Sequence, residues 1–214
     1  MKKDVENMMQ LDRVAEAVTY LAEKKKQGEY TISDYYDIPE DVRAELIDGV
    51  IYDMAPPLSV HQLLSAKIHE YLARYIEKKG GSCIPFFAPI GVQLDKDDKT
   101  IVEPDILIVC DRNQITRRGI YGAPDFVIEI LSESTKKKDS YLKLMKYQNA
   151  GVQEYWLVDP EKKKVIVYDF EQEEIPKIYG FDTRVPVGIF GGECKVDFAE
   201  IYEEIRFIYE KEEK

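Results

Sequence analysis

Two short apolar runs that each carry one carboxylate stand out in the pattern of hydrophobic and polar positions. The first covers residues 101–110 and contains Asp105, and the second covers residues 124–131 and contains Glu129. Runs of this length that are apolar at nearly every position predict buried strands. A carboxylate in such a strand is costly unless a cation or several donors meet it. The two runs therefore predict a site built around a cation.

The remaining pattern predicts an α/β protein of the α+β kind, a mixed sheet flanked by helices. Alternating apolar and turn positions predict strands in a hairpin over 45–54 with Asp48-Gly49 at its turn, and strands over 84–94, 101–110, 124–131, 153–160 and 164–170. Helical spacing predicts helices over 8–27, 61–79 and 136–151, and a short one within 30–39. The three middle strands are expected to be antiparallel neighbours, and Ser59 is expected to cap the helix that carries His61 in its first turn.

The helix predicted over residues 136–151 carries a cation toward the two carboxylates. Asp139, Lys143 and Tyr147 are spaced at i, i+4 and i+8, so they share one face of the helix. With Asp105 in the middle of one strand and Glu129 near the end of the next, this helix could place Lys143 beside them. Spacing alone supports Lys143 and Lys146 about equally.

Composition limits the function classes. The 214 residues are long enough for one domain with a substantial core, and the net charge of -11 argues against a protein that coats nucleic acid through its overall field. A local basic groove is compatible with that charge, and residues 111–122 form a long predicted loop that contains Arg112, Arg117 and Arg118. The chain has no Gly-rich phosphate loop and no Gly-x-Ser-x-Gly motif, so nucleoside-triphosphate and serine-hydrolase chemistry lack support.

The cysteine pattern bears on the cellular compartment. Cys83, Cys110 and Cys194 are an odd number, contain no Cys-x-x-Cys pair and follow no secretory signal, so we expect reduced thiols in a soluble, cytoplasmic protein. No apolar run approaches the roughly 18 to 20 residues needed to cross a bilayer. Two histidines without paired cysteines argue against a zinc site.

The candidate chemistry follows from the donor atoms. Two carboxylates, a main-chain carbonyl and water suit Mg²⁺ or Mn²⁺, and a nearby lysine would allow metal-assisted phosphodiester hydrolysis. Other interpretations stay open at this point: Asp105 could accept hydrogen bonds in a turn, and Glu129 could form a structural ion pair with Lys143. His61 could be a capping or surface residue.

Several motifs occur in the order found in one protein family. They are Glu45-Leu-Ile-Asp-Gly49, His61 at a helix opening, Glu103-Pro-Asp105, Val127-Ile-Glu129-Ile-Leu-Ser132, Asp139 with Lys143 and Tyr147, and Gly151-Val-Gln-Glu-Tyr-Trp-Leu-Val-Asp-Pro160. Over roughly residues 30–202 the chain resembles the Uma-type family, whose members are classed as restriction endonucleases of the PD-(D/E)XK nuclease superfamily. The resemblance implies a restriction-endonuclease-like core over residues 29–202, preceded by a helical extension over 1–28 and followed by a charged tail over 203–214.

The resemblance also implies a set of site residues. Asp105, Glu129 and the main-chain carbonyl of Ile130 would bind the metal, and Glu45 would complete the site. The superfamily ordinarily has a lysine two residues after the strand glutamate, where this chain has Leu131. The chain is similar to members in which that lysine lies on the next helix.

Lys143 matches the position of the displaced lysine, and His61 matches the family's helix-opening histidine, a phosphate contact or proton shuttle. The resemblance therefore implies a Mg²⁺- or Mn²⁺-dependent endonuclease that acts on DNA as a homodimer. The alternative is an inactive nucleic-acid-binding or assembly module that retains the fold and uses the acidic cluster in a structural ion-pair network.

Overall fold

The computed structural model describes residues 25–39, 42–94, 97–132, 136, 138–172 and 175–212. These residues form two compact units, one from the described parts of residues 1–56 and 95–102 and the other from those of 57–94 and 103–214. The helix predicted over residues 8–27 lies outside the described residues except for its last three positions, which are not helical. The domain boundaries predicted from the resemblance stay predictions.

The first unit is built around the predicted hairpin. Its elements are helix α1 (Ile32–Tyr36) and strands β1 (Ala44–Ile47) and β2 (Val50–Asp53). Asp48 and Gly49 join the strands with φ angles of 51° and 75°, as a type I′ turn requires, so the predicted hairpin is confirmed. A Cβ atom on Gly49 would lie 2.5 Å from the carbonyl oxygen of Gly28, which makes glycine necessary at this turn.

The second unit contains a six-stranded mixed sheet. The strands of this unit are β3 (Ile84–Phe87), β4 (Val92–Gln93), β5 (Ile106–Val109), β6 (Ile120–Tyr121), β7 (Phe126–Ile130), β8 (Glu154–Asp159), β9 (Lys164–Asp169), β10 (Lys177–Gly180), β11 (Arg184–Pro186) and β12 (Lys195–Asp197). The sheet order is β10-β9-β8-β7-β5-β3, with β7 and β8 parallel and the other neighbours antiparallel. The predicted antiparallel arrangement of the three middle strands is confirmed.

The second unit also contains helices. They are α2 (Ser59–Lys79), a π-helical turn (Lys138–Lys143) that leads into α3 (Leu144–Ala150), α4 (Phe198–Ile205) and α5 (Tyr209–Glu212), with short 3-10 turns at Arg112–Gln114 and Gly188–Phe190. Leu64, Ile68 and Leu72 of α2 are fully buried in one core cluster with Ile106 and Ile128 of the sheet. This helix therefore covers the face of the sheet to which alternate residues of β5 and β7 point.

The ends of α2 test two predictions. The helix stops at Gly80, whose φ of 65° places it in the left-handed region. The predicted end of the helix at residue 79 is confirmed. The predicted cap at Ser59 is wrong, because the extended segment after Pro56-Pro57 ends at Leu58 and the helix begins with Ser59 itself. His61 lies in the first turn, as predicted.

The cysteines differ from the prediction. Cys83 and Cys110 form a disulfide, so the expectation of three reduced thiols is wrong for this pair. The pairing of Ile84 with Val109 in β3 and β5 brings the two cysteines opposite each other just beyond the strands, a relation that their spacing along the chain does not reveal. Cys194 is a free, buried thiol, and burial raises its pKa to about 11.

No helix in the part of the chain that the structure describes is both long enough and apolar enough to cross a membrane. Helix α2 has 21 residues, enough to span the hydrocarbon layer of a bilayer. Its sequence carries charged side chains on successive turns, such as Lys67, Glu70 and Arg74.

Candidate active site

Asp105 and Glu129 lie at the same end of two neighbouring strands. The last pair in the β5–β7 register is Ile106 with Ile128, and one further step along both strands leads to Asp105 and Glu129. Asp105 directly precedes β5. The prediction that it lies in the middle of a strand is therefore wrong. The backbone N–H of Ile130 donates to Asp105 Oδ2 over 2.7 Å, which holds the two chain segments together.

Asp105 is held by two donors on one oxygen. Besides the Ile130 N–H, the Nε2 atom of His61 lies 3.1 Å from Oδ2. No described residue donates to the other oxygen, Oδ1, and the side chain is 14% exposed. The carboxylate is thus fixed in orientation and retains an acceptor atom for a ligand.

His61 lies against Asp105 with most of its side chain buried. Within the described residues, its Nδ1 atom is buried and has no hydrogen-bond partner. Helix α2 therefore brings His61 to Asp105, whereas its predicted role as a phosphate contact or proton shuttle stays a prediction.

Glu129 is buried within β7 and meets a cation. It is 3% exposed, and its Oε1 atom accepts from Lys143 Nζ over 2.8 Å and from the hydroxyl of Tyr147 over 2.7 Å. Lys143 is 2% exposed and also lies 3.7 Å from Asp139 Oδ1. The shared face predicted for Asp139, Lys143 and Tyr147 is confirmed, and that face points at Glu129.

The structure distinguishes the two lysines that spacing left equal. Lys143 ends the π-helical turn and is buried against Glu129, whereas Lys146 is half-buried in α3. A π-helical turn contains more residues than an α-helical one, so the faces of this segment cannot be assigned from a 3.6-residue period alone. The structure shows the ion pair with Glu129 formed by Lys143.

Tyr155 is a neighbour of the site that the sequence analysis assigned only to core packing. Its hydroxyl donates to the carbonyl oxygen of Asp139 over 3.1 Å, and the side chain is fully buried. Burial, together with the negative charges of Glu129 and Asp139, raises the pKa of Tyr155 well above its ordinary value. The phenol therefore stays neutral and braces the turn that carries Lys143. Val127 pairs with Tyr155 in the β7–β8 register, and strand alternation then puts Tyr155 on the same face as Glu129.

The donor atoms at this end of the sheet fit a hard cation such as Mg²⁺. Magnesium is commonly bound through one or two carboxylates, with water and substrate phosphate completing its octahedron. Asp105 and Glu129 supply two carboxylates on adjoining strands. Within the described residues, no three His, Cys, Asp or Glu side chains form a group that could hold a metal.

The other two predicted ligands stay predictions. Glu45 is completely buried in β1, opposite Tyr52, and belongs to the first compact unit. Ile130 is the last residue of β7, and its N–H is the group that bonds to Asp105. Neither placement tests a role in metal binding.

Tyr147→Phe is expected to lower the free energy of unfolding by about 1–3 kcal/mol, because it removes a donor from a buried carboxylate while the ring keeps its packing. Urea unfolding followed by circular dichroism measures this change. The matched control is Tyr141→Phe, which deletes the same hydroxyl from a side chain that is 74% exposed. Equal losses in the two variants would contradict a stabilising role for the Tyr147 hydroxyl.

Comparison with known proteins identifies the family and the fold. The Uma2 family model, described as "Putative restriction endonuclease", matches residues 32–187. The "Uncharacterized protein slr1290" of Synechocystis sp. is 26% identical over 125 residues, which are 58% of this chain and 64% of that protein, so the match spans less than two thirds of this relative.

The structural likeness concerns the fold alone. The "Crystal structure of a putative nuclease belonging to DUF820 from Anabaena variabilis ATCC 29413" has a TM-score of 0.67 and 23% identity, and the match covers 81% of this chain and 97% of that one. This chain therefore shares the fold of that protein, and the predicted fold class, a mixed sheet flanked by helices, is confirmed. Because the family model covers well over half of the sequence, the chain belongs to the Uma2 family.

Proposed function

We propose that this protein is a Mg²⁺- or Mn²⁺-dependent endonuclease that hydrolyses phosphodiester bonds in DNA. The observation that carries the proposal is the placement of Asp105 and Glu129 at the same end of neighbouring strands, with the buried Lys143 in contact with Glu129. Membership in the Uma2 family supports the same reaction class. The chemistry requires acidic ligands for a cation and a positive group near the scissile phosphate, and these residues offer both.

Each residue has a role in this proposal. Asp105 and Glu129 would hold the metal, with Glu45 and the Ile130 carbonyl as further ligands. A bound metal would lower the pKa of a water molecule and neutralise charge on the phosphate. Lys143 would orient the attacking water and stabilise the negative charge that develops in the transition state.

Neighbouring groups would keep the two carboxylates in place. Ile130 and His61 fix Asp105 through Oδ2, and Lys143 and Tyr147 fix Glu129 through Oε1. Groups that are already oriented need no reorganisation during the reaction, and this preorganisation is the usual source of electrostatic catalysis. His61 would exchange a proton or contact the phosphate from its place beside Asp105. One such site cuts one strand, so we propose a homodimer for cleavage of a duplex.

A second function is favoured by a different observation. Lys143 and Tyr147 both donate to the buried Glu129, and the described residues hold no ready group of three metal ligands. A protein that retained the fold but used this set as a structural ion pair would bind nucleic acid or assemble without cutting. A measurement of metal binding distinguishes the two functions, because only the endonuclease requires a bound metal.

Calorimetric titration with Mn²⁺ and Mg²⁺ at low ionic strength tests the proposal, first on the free protein and then with a phosphorothioate duplex. We expect saturable binding that Asp105→Asn weakens by at least about 10–100-fold, since loss of a ligand should exceed the effect of losing a group that only supports one. The matched control is Glu171→Gln, which removes one exposed carboxylate just beyond β9. Identical isotherms for the wild type and Asp105→Asn under both conditions would favour the structural ion pair.

A further inference from the structure

A tight turn in the second unit presents two arginines to solvent. Ile115 and Ile120 form an antiparallel bridge, and the Thr116 N–H and hydroxyl both donate to the Gly119 carbonyl oxygen over 2.8 Å. Arg117 and Arg118 form the tip of this turn and are exposed. We call residues 115–120 the arginine turn.

Hydrogen bonds tie the arginine turn to the segment beside Asp105. The Ile120 N–H donates to the Gly91 carbonyl oxygen over 2.9 Å, and β4 pairs with β6 next to it. At the other end of the 88–91 segment, the Ala88 N–H donates to the main-chain oxygen of Asp105 over 3.0 Å. The four-residue segment 88–91 therefore links the arginine turn to the backbone of the candidate metal ligand.

Close backbone packing fixes this attachment. A Cβ atom on Gly119 would lie 2.2 Å from the Gly91 carbonyl oxygen, a distance that excludes any side chain. Gly119 also has a φ of 155°, at the edge of the range that favours glycine. The turn is thus held against residues 88–91 by a contact that only glycine permits.

A cavity of about 260 Å³ opens between the arginine turn and the segments that adjoin Asp105. Its lining includes Phe86, Pro89, Glu103, Thr116, Arg117 and Arg118. Two guanidinium groups and one carboxylate leave this lining cationic, in a chain whose net charge is -11. Guanidinium groups present paired N–H donors that match the oxygens of a phosphate.

We propose that Arg117 and Arg118 bind backbone phosphates of a DNA duplex and thereby align the scissile strand with Asp105. The inference rests on the proposed endonuclease function and names the part of the protein that holds its substrate. In an acidic protein, sequence-independent binding of a polyanion must come from such a local group of cations. The arginine turn supplies two of them, and it is attached to the segment whose backbone bonds to Asp105.

The salt dependence of DNA binding tests this inference. Fluorescence anisotropy of a labelled duplex is measured with the Asp105→Asn protein, in which little cleavage is expected, and with the same protein carrying Arg117→Ala and Arg118→Ala. Each phosphate contact contributes about 0.9 to the slope of log affinity against log salt, so we expect a slope shallower by about two. The ratio of the parent's affinity to that of the double alanine variant should therefore be about tenfold larger at 50 mM salt than at 200 mM.

Two further variants separate phosphate recognition from a general effect of charge. Arg74→Ala with Lys78→Ala removes two cations from α2, about 20 to 25 Å along the helix from His61, and should leave affinity and slope unchanged. Arg117→Lys with Arg118→Lys keeps the charge and should preserve the slope while losing affinity, because an ammonium lacks the paired donors.

Equal affinity and slope in the parent and the double alanine variant would overturn the inference, as would an equal loss in the α2 control or an absence of binding by the parent. Failure of this inference and failure of the catalytic proposal give different results. Arginine-dependent binding without metal-dependent cleavage by the wild type would refute the endonuclease function alone. Cleavage that does not depend on the arginines would refute the phosphate-binding role alone.

Discussion

Asp105→Asn is expected to reduce metal-dependent DNA cleavage by about 10³-fold, because a metal ligand contributes several kcal/mol of transition-state stabilisation. The substitution removes the charge and keeps the shape, and the remaining amide oxygen can still accept from the Ile130 N–H. The free energy of unfolding should therefore change by less than about 1 kcal/mol. Initial rates of plasmid and oligonucleotide cleavage, with urea unfolding of the same samples, measure both quantities.

Glu171→Gln controls for the loss of one negative charge and should cleave like the wild type. If Asp105→Asn unfolds while the control does not, the carboxylate has a structural role and the endonuclease proposal loses its main support. Retained cleavage in a folded Asp105→Asn protein would remove Asp105 from the metal site.

Lys143→Met is expected to destabilise the protein by about 3–5 kcal/mol and to abolish cleavage, because it leaves the buried carboxylate of Glu129 without its cation. Glu129→Gln should have a comparable effect from the other side of the pair. The double variant should regain much of the lost stability, since neither charge is then buried alone, yet it should stay inactive. Urea unfolding of the four proteins gives the coupling energy, and cleavage assays give the activity.

Lys146→Met is the matched control, because Lys146 follows one turn later and is half-buried. We expect it to keep most of the activity and stability of the wild type. Equal residual activity in Lys143→Met and Lys146→Met would contradict the role proposed for Lys143. A double variant that regained both stability and cleavage would show that the ion pair serves only the fold.

The parts of this fold that the sequence predicts well are those set by local pattern. The hairpin at Asp48-Gly49 follows from turn chemistry, and the antiparallel middle strands follow from three consecutive apolar runs. The shared face of Asp139, Lys143 and Tyr147 was also predicted from the sequence, because residues four positions apart remain neighbours even where a π-helical turn intervenes.

The parts that local pattern misses depend on how strands and helices pair. The disulfide between Cys83 and Cys110 exists only because β3 and β5 lie side by side, and the bond from His61 to Asp105 joins residues 44 positions apart. The contact of Lys143 with Glu129 could not be chosen over one from Lys146, because spacing alone supported both lysines about equally. The role of Glu45 was inferred from resemblance, and its place in β1 does not test that role.

The contact between Lys143 and Glu129 spans 14 residues of sequence, whereas that between His61 and Asp105 spans 44. Closing the shorter loop is cheaper in chain entropy by about 1 kcal/mol. During folding, the lysine can therefore find its carboxylate before α2 docks, so one half of the site is encoded by a contiguous segment from β7 to α3. The other half depends on long-range assembly, and slow docking of α2 would delay the completed site rather than the ion pair.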